Sequence, residues 1–215
     1  ADVEMVAETC VTARLINGGQ SCIAAKRFIV VKEVYEAFEK LFVEKMKSKK
    51  MGDPFDESNH LGPQDSVALR DELHQQVKKS IELGAELLLG GKIPEINGAY
   101  YPPTVLSNVK KGMPAYDEEL FGPVAALIKV QDESEAIKIA NDTIFGLGGA
   151  VFTGDFARGE KIAKENFEKN YLLQLVELTE GNMAQAARLA GKYRADLYDL
   201  LKKYGIKPSN FRKKQ

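Results

Sequence analysis

Short apolar runs alternate with longer stretches of helical period along most of this chain, and few architectures accept that pattern. RFIVV (27–31) is β-branched enough to read as a strand, and VAALIKV (124–130) reads as a strand buried on both faces. A short apolar strand is expected at Glu86–Leu89, and GGAVFT (148–153) reads as another. Between them, Val3, Val6, Ala7, Cys10, Val11 and Ala13 fall near helical spacing, which predicts a helix from Asp2 to Ile16 that stops at a Gly-Gly pair. Val34, Phe38, Leu41, Phe42 and Met46 mark an amphipathic helix ending near Lys47–Lys50, and a further helix is expected from about Ser66 to Leu83. Asp132 and Glu135 have capping-box spacing and open a helix to about Ala140. Helices interleaved with short strands give an α/β fold, an open sheet with helices on its faces.

A second pattern begins at Asp155. No Gly or Pro follows Gly159 before Glu180, and Ala163, Phe167, Tyr171 and Leu175 continue one i,i+4 row with Leu172 and Val176 beside it. The charge changes sign along this row: residues 1–167 carry a net −6 and residues 168–215 a net +5, although the whole chain stands at −1. No linker composition marks the change, so the two pieces are expected to join through a continuous helix. Beyond it come GNMAQAARLAG and KYRADLYDLLKKYG, with Gly181 suited to a helix C′ position, Asn182 to an N-cap, Gly191 to a tight turn and Gly205 to the end of the last helix. Helix, tight turn, helix is the outline of a helix-turn-helix. A basic segment favours a polyanionic partner, the alternative being a solvated lysine-rich tail.

The 215 residues suffice for one domain with a sizeable core and a small appendage. No apolar run approaches the roughly 20 residues that span a bilayer, and no basic-then-apolar segment opens the chain, so no membrane association and a cytoplasmic location are expected. Two cysteines are too few for a disulfide framework, and His60 and His74 stand apart from both, so no metal site is expected. Cys10 lies on the apolar face of the first helix and reads as a small core residue. Cys22, three residues after Gly19, is either a similar filler or a nucleophile. An ordinary thiol, with a pKa of about 8.5, is a few per cent thiolate at neutral pH, and open backbone amides in a glycine-rich loop can raise that fraction.

Five motifs in order, NGGQSC, KMGDPF with LGP, YYPPTVL, EELFGPVAAL and ANDTIFGLGGAVFT, carry a resemblance of residues 1–167 to the catalytic domain of the NAD(P)-dependent aldehyde dehydrogenase superfamily. LRDELHQQV and LLLGGK further resemble the succinate-semialdehyde dehydrogenase branch. The resemblance implies an open α/β sheet of that catalytic-domain type, NAD or NADP as cofactor, and Cys22 as the nucleophile that adds to an aldehyde. It implies that Glu119 accepts hydrogen bonds from the nicotinamide ribose and that Phe121 lines the nicotinamide site. The glycines of FGLGG precede a strand and not a helix N-terminus, so they are assigned to turn geometry. The family's N-terminal cofactor domain, with its general-base glutamate and oxyanion asparagine, does not precede Ala1, and unrelated sequence begins at about Glu168. The expectation is that the chain alone does not bind NAD or NADP, is inactive as a dehydrogenase, and uses an aldehyde substrate only when the absent half is supplied.

The tail, YLLQLVELTEGNMAQAARLAGKYRADLYDLLKKYGI within residues 168–215, resembles the Fis-like helix-turn-helix that ends bacterial enhancer-binding activators. This implies an all-α three-helix module that binds double-stranded DNA as a homodimer, its first helix forming the dimer. Carried across, Tyr193, Arg194, Asp196 and Tyr198 face the major groove, and Asn182, Gln185, Lys192, Lys202 and Lys203 meet phosphates. Asp199 departs from a DNA-facing pattern, because an acid there opposes phosphate. The receiver and ATPase domains of such activators are missing, so transcriptional activation is not expected. Three readings follow: a truncated dehydrogenase domain fused to a sequence-specific DNA-binding module, a DNA-binding regulator carrying the dehydrogenase piece as a passenger, or a chimera without natural function.

Overall fold

The computed structural model describes residues 1–145 and 148–211, and within these the side chains of 165–167 and 170 are outside the description. Gly146 of the FGLGG turn, the Phe167 side chain and the basic residues 212–214 therefore lie outside the described residues. The chain divides into two compact units, one of Ala1–Gly154 and one beginning at Asp155.

The first unit is organised by β4 (Val124–Val130), buried at every position except Lys129. It pairs in parallel with β1 (Arg27–Val31) on one side and with β3 (Thr104–Ser107) on the other. β2 (Glu86–Leu89) closes the far edge antiparallel to β3, with a bulge between Leu87 and Leu89, so the sheet is mixed and its order is β1-β4-β3-β2. Successive β4 residues feed opposite cores, as strand geometry requires. Ala125 and Leu127 pack with α1 (Val3–Leu15) and α2 (Lys32–Lys47) through Val6, Cys10, Val11, Phe38, Phe42 and Met46. Ala126 and Ile128 pack on the other face with Leu73 and Val77 of α3 (Val67–Glu82) and Tyr116 of α4 (Pro114–Asp117).

The helix termini carry the polar groups their positions require. Asp2 accepts from the Glu4 and Met5 amides and Ser66 from the Leu69 amide. Asp132 Oδ1 accepts from Glu135 N at 2.9 Å ahead of α5 (Glu133–Ala140), while Glu135 reaches back to Gln131 N at 2.6 Å, one residue beyond the expected capping-box partner. At the other end of α5, the Arg27 guanidinium donates to the carbonyls of Ile139, Ala140 and Asp142. Tyr116 and Lys111 both donate to the Asp142 carboxylate and hold its pKa below the ordinary value.

Two features of the first unit differ from the sequence expectation. Residues 148–153 (GGAVFT) carry no regular structure, and Val151 and Phe152 are exposed. A strand needs a neighbouring ladder as well as an apolar sequence, and among the described residues the sheet has four strands, none of them formed by this segment. Conversely, β3 and α4 were not anticipated. β3 is four residues long and follows Pro102-Pro103, and α4 is one turn opened by Pro114 at its start.

The second unit is built on α6 (Phe156–Leu178), whose N-terminus is capped by Asp155 through the Arg158 amide at 3.0 Å. This helix passes without interruption through the position where the charge changes sign. Leu172, Leu175 and Val176 at its end meet Met183 and Ala186 of α7 (Met183–Leu189) and Leu197 and Leu201 of α8 (Arg194–Lys203) in one small core. Gly181 is not at C′. Glu180 takes that place in a left-handed conformation (φ 49°), and Gly181 follows it at φ 72°, donating to Val176 O at 2.9 Å, so it is the C″ residue. Asn182 caps α7 as expected, accepting from Ala184 N and Gln185 N. Gly191 turns the chain at φ 59°, and Gly205 ends α8 at φ 67°. Glu168 accepts from Lys203 at 2.7 Å and from the Tyr204 hydroxyl, tying α6 to α8.

Phe42 is fully buried between Phe28, 4.9 Å away ring to ring, and Phe38 at 5.4 Å. Phe42→Ala is expected to cost the first unit about 3–5 kcal/mol, measured by urea unfolding followed with near-UV circular dichroism.

Candidate active site

The site is assembled from the end of α1 and the loop after α4. Past Leu15 the chain enters a tight turn at Ile16–Gly19 in which Asn17 (φ 50°, ψ 43°), Gly18 (φ 62°) and Gly19 (φ 78°) are all left-handed. Asn17 tolerates this conformation and secures it, donating from Nδ2 to Gln20 O at 3.0 Å. Beneath the turn lies Arg14, fully buried, with Nη2 donating to Gly19 O at 2.8 Å while Nε and Nη1 have no protein partner. Burial pushes the Arg14 guanidinium down to about 10, against the pull of the Glu119 charge. Gln20 Oε1 accepts from Asp65 N at 2.7 Å and so fastens the turn to the segment ahead of α3.

Cys22 sits in the following turn and is exposed. Its turn is held by Ala24 N donating to Ser21 O and Ala25 N donating to Ala13 O, both at 3.0 Å. Cys10 is buried in the α1–α2 core, and burial pushes its thiol up to about 11. The two cysteines thus occupy opposite environments.

The second loop, Glu118–Pro123, leads into β4. Gln76 of α3 donates to the Glu118 carboxylate at 2.9 Å and to Glu119 O at 3.3 Å. The two loops touch backbone to backbone: a Cβ on Gly19 would stand 2.1 Å from Gly122 O, and one on Gly122 would stand 2.3 Å from the Leu73 side chain. At Gly19 the obstacle is backbone and only hydrogen fits, whereas at Gly122 the Leu73 and Gln64 side chains would have to move. Lys26 bridges them, its ammonium 3.1 Å from Glu119 Oε1 and donating to Cys22 O at 3.4 Å and Ala24 O at 3.3 Å. Phe121 is half-buried two residues past Glu119.

Cys22, Glu119 and Phe121 are therefore on two loops locked together, with the Cys22 backbone and the Glu119 carboxylate joined through one ammonium. Two participants were missed from sequence. Arg14 had a signal, since it continues the apolar row of α1 four residues after Cys10 and three after Val11, where a charge is out of place. Lys26 had none, because a lysine at the start of a strand is ordinary.

Glu119, whose side chain is 40% exposed, and the half-buried Phe121 are the residues of this loop that could hold the ribose and nicotinamide end of a dinucleotide. For the pyrophosphate, the turns following β1 and β4 contain no glycine and the one following β3 has Gly112 alone, so among the described residues no glycine-rich turn opens a helix N-terminus. Among the described residues no group of three or more His, Cys, Asp or Glu side chains could hold a metal ion. Among them, too, no helix is long and apolar enough to cross a membrane.

In the second unit, Gln185, Lys192, Tyr193, Arg194, Asp196, Tyr198, Asp199 and Lys202 are exposed on α7, α8 and the turn between them, with the Arg194 guanidinium 5.9 Å from the Tyr198 ring centroid. Two residues expected to meet phosphate are engaged elsewhere. The Asn182 side-chain oxygen caps α7, and the Lys203 ammonium is paired with Glu168, which raises its pKa.

Residues 1–167 match the aldehyde dehydrogenase family, and the chain belongs to it. Two relatives illustrate the branch. A succinate-semialdehyde dehydrogenase (NADP(+)) of Mycolicibacterium paratuberculosis is 48% identical over 161 residues, 75% of this chain and 34% of the relative. The succinate semialdehyde dehydrogenase (NAD(P)+) of Escherichia coli K12 is 48% identical over 163 residues, 76% of this chain and 35% of the relative. Among solved structures, the succinic semialdehyde dehydrogenase of Streptococcus pyogenes, in complex with NADP+, superposes with a TM-score of 0.73 at 36% identity, covering 76% of this chain and 36% of that one. The chain spans about a third of the length of these relatives.

The contrast between the cysteines is directly measurable. Iodoacetamide at about pH 8 is expected to label Cys22 at least ~10-fold faster than Cys10, read by peptide mass spectrometry; equal labelling would contradict the two environments.

Proposed function

We propose that residues 1–167 form the nucleophile-bearing part of an NAD(P)-linked aldehyde dehydrogenase acting on succinate semialdehyde or a similar small semialdehyde. The observation that carries this reading is the juxtaposition of the exposed Cys22 turn with the Glu119–Gly122 loop, locked at the Gly19–Gly122 approach and bridged by Lys26. The substrate class is supported by the names of the relatives at 48% identity.

In this mechanism the Cys22 thiolate adds to the aldehyde carbon. A C–S bond forms and the carbonyl π pair moves to oxygen, giving an oxyanion that backbone N–H groups of the turn help to hold. A nicotinamide dinucleotide, when bound, supplies the hydride acceptor. Glu119 would take its ribose hydroxyls and Phe121 would flank its nicotinamide. Loss of hydride from the substrate carbon leaves a thioester on Cys22. Water then adds, the C–S bond breaks, and the thiol and a carboxylic acid are released. Hydride transfer requires the nicotinamide to be held against the Cys22 adduct, and we expect the chain by itself to produce no reduced nicotinamide.

A second reading concerns the second unit, whose residues 168–215 we propose to be a helix-turn-helix module that binds double-stranded DNA as a homodimer. It is favoured by the packing of α7 and α8 across a four-residue turn over one core, with Tyr193, Arg194, Tyr198 and Lys202 exposed on α8 and at its start. Arg194 has the side chain suited to guanine, and the exposed Lys192 and Lys202 would meet phosphates. Asp196 would face the groove, while Asp199, exposed on α8, is the acid that opposes phosphate.

Each reading has its own test. Residues 1–167 grafted in place of the corresponding stretch of the Escherichia coli relative should sustain oxidation of succinate semialdehyde, and Cys22→Ala in that graft should lower kcat by at least about a thousandfold. Activity that survives the substitution would refute the nucleophile. For the second unit, fluorescence anisotropy should show duplex affinity falling steeply as salt rises, with Arg194→Ala weakening sequence preference. Salt-independent or absent binding would refute it.

A further inference from the structure

We propose that Lys26 is a positioning residue that couples the Glu119 carboxylate to the backbone turn carrying Cys22. The functional sense of this coupling rests on the reading of Cys22 as a nucleophile; the coupling itself rests on geometry alone. The Lys26 ammonium has three N–H donors, and three acceptors surround it: Cys22 O at 3.4 Å, Ala24 O at 3.3 Å and Glu119 Oε1 at 3.1 Å. Its side chain retains only 20% exposure, so little water competes for those donors. Its backbone is anchored, because Lys26 O accepts from Ala126 N of β4 at 3.1 Å and the next residue begins β1. The side chain is thus a short arm with a fixed base, reaching back over the turn that precedes it.

Each contact alone is weak. Together they make the arm's position depend on Glu119, which is 40% exposed and lies on a different loop. With the carboxylate charged, the ammonium is held at the point where both carbonyls can reach it. With that charge removed, the arm keeps two long contacts to neutral carbonyls and gains freedom to leave for solvent. Anything that takes over the Glu119 carboxylate, such as a ligand offering a pair of hydroxyl donors, therefore loosens the Cys22 turn. In the proposed reaction, occupancy of the Glu119 carboxylate is felt at the Cys22 turn through Lys26.

Hydrogen exchange of the intact chain, read by mass spectrometry on peptides spanning residues 20–26, tests this through the Ala24 and Ala25 amides. Lys26→Met and Glu119→Gln should each speed their exchange about threefold, as befits a partly exposed ion pair, and the double variant should be no faster than Lys26→Met alone. Raising NaCl from about 0.05 M to about 1 M should speed exchange in the parent chain and leave Lys26→Met unchanged. Lys26→Arg should restore most of the protection. Unaltered exchange in α2 shows that the variants are folded, and the half-exposed Glu119→Gln carries the test even where Lys26→Met is not. Unchanged exchange in Glu119→Gln, or effects that multiply in the double variant, would overturn the coupling. These outcomes are independent of aldehyde oxidation, so a failure here and a failure of the nucleophile reading are told apart.

Discussion

β4 hydrogen-bonds on both sides, to β1 and β3, and its alternating side chains enter both cores of the first unit. Just upstream of it, Pro123 O accepts from Thr104 N at 2.8 Å, and Gly122 meets Gly19 without room for a methyl group between them. The strand that centres the sheet therefore also sets where the Glu119–Gly122 loop can lie. Because the contact is between backbones, neither loop can shift by a side-chain adjustment. This is why the Cys22 turn and the Glu119 carboxylate, nearly a hundred residues apart in sequence, share a fixed neighbourhood.

The charges around that contact are unequal in cost. Arg14 is buried and satisfies one of its nitrogens on Gly19 O, which supports the left-handed turn at the expense of desolvating a cation. Lys26 keeps only 20% exposure and holds three acceptors at 3.1–3.4 Å, each contributing little. Glu119 sits between the two, as the partner of Lys26 and as the charge that opposes the fall in the Arg14 pKa. One carboxylate thus acts on two cations, through its charge on the buried Arg14 and through direct contact with Lys26.

Much of the fold was legible from pattern. β1, β2 and β4 stand where their apolar runs predict, and α1, α2, α3 and α5 begin and end within two residues of the expected limits. These succeed because hydrophobic period, caps and terminal glycines are local properties. GGAVFT failed because a strand is completed by its neighbour, and Gly181 was displaced by one position because Glu180 accepts a left-handed conformation that composition assigns to glycine. β3 was hidden by its brevity and by the prolines before it. In the site, Cys22, Glu119 and Phe121 could be named from motifs, whereas Lys26 could not, since its role arises from where three acceptors converge in space.

The amino-acid sequence alone determined the alternation of elements, the family of residues 1–167, the continuity of α6 across the change of charge, and the three short-range helix and turn signals that follow it. These depend on interactions spanning a few residues, and they survive without knowledge of packing. The tertiary structure alone decided that β2 runs antiparallel, that Gly19 and Gly122 touch, that Arg14 is buried under the turn, and that one lysine joins the Cys22 backbone to Glu119. Those are contacts between distant segments, and their energies depend on burial and approach distance that no local pattern encodes.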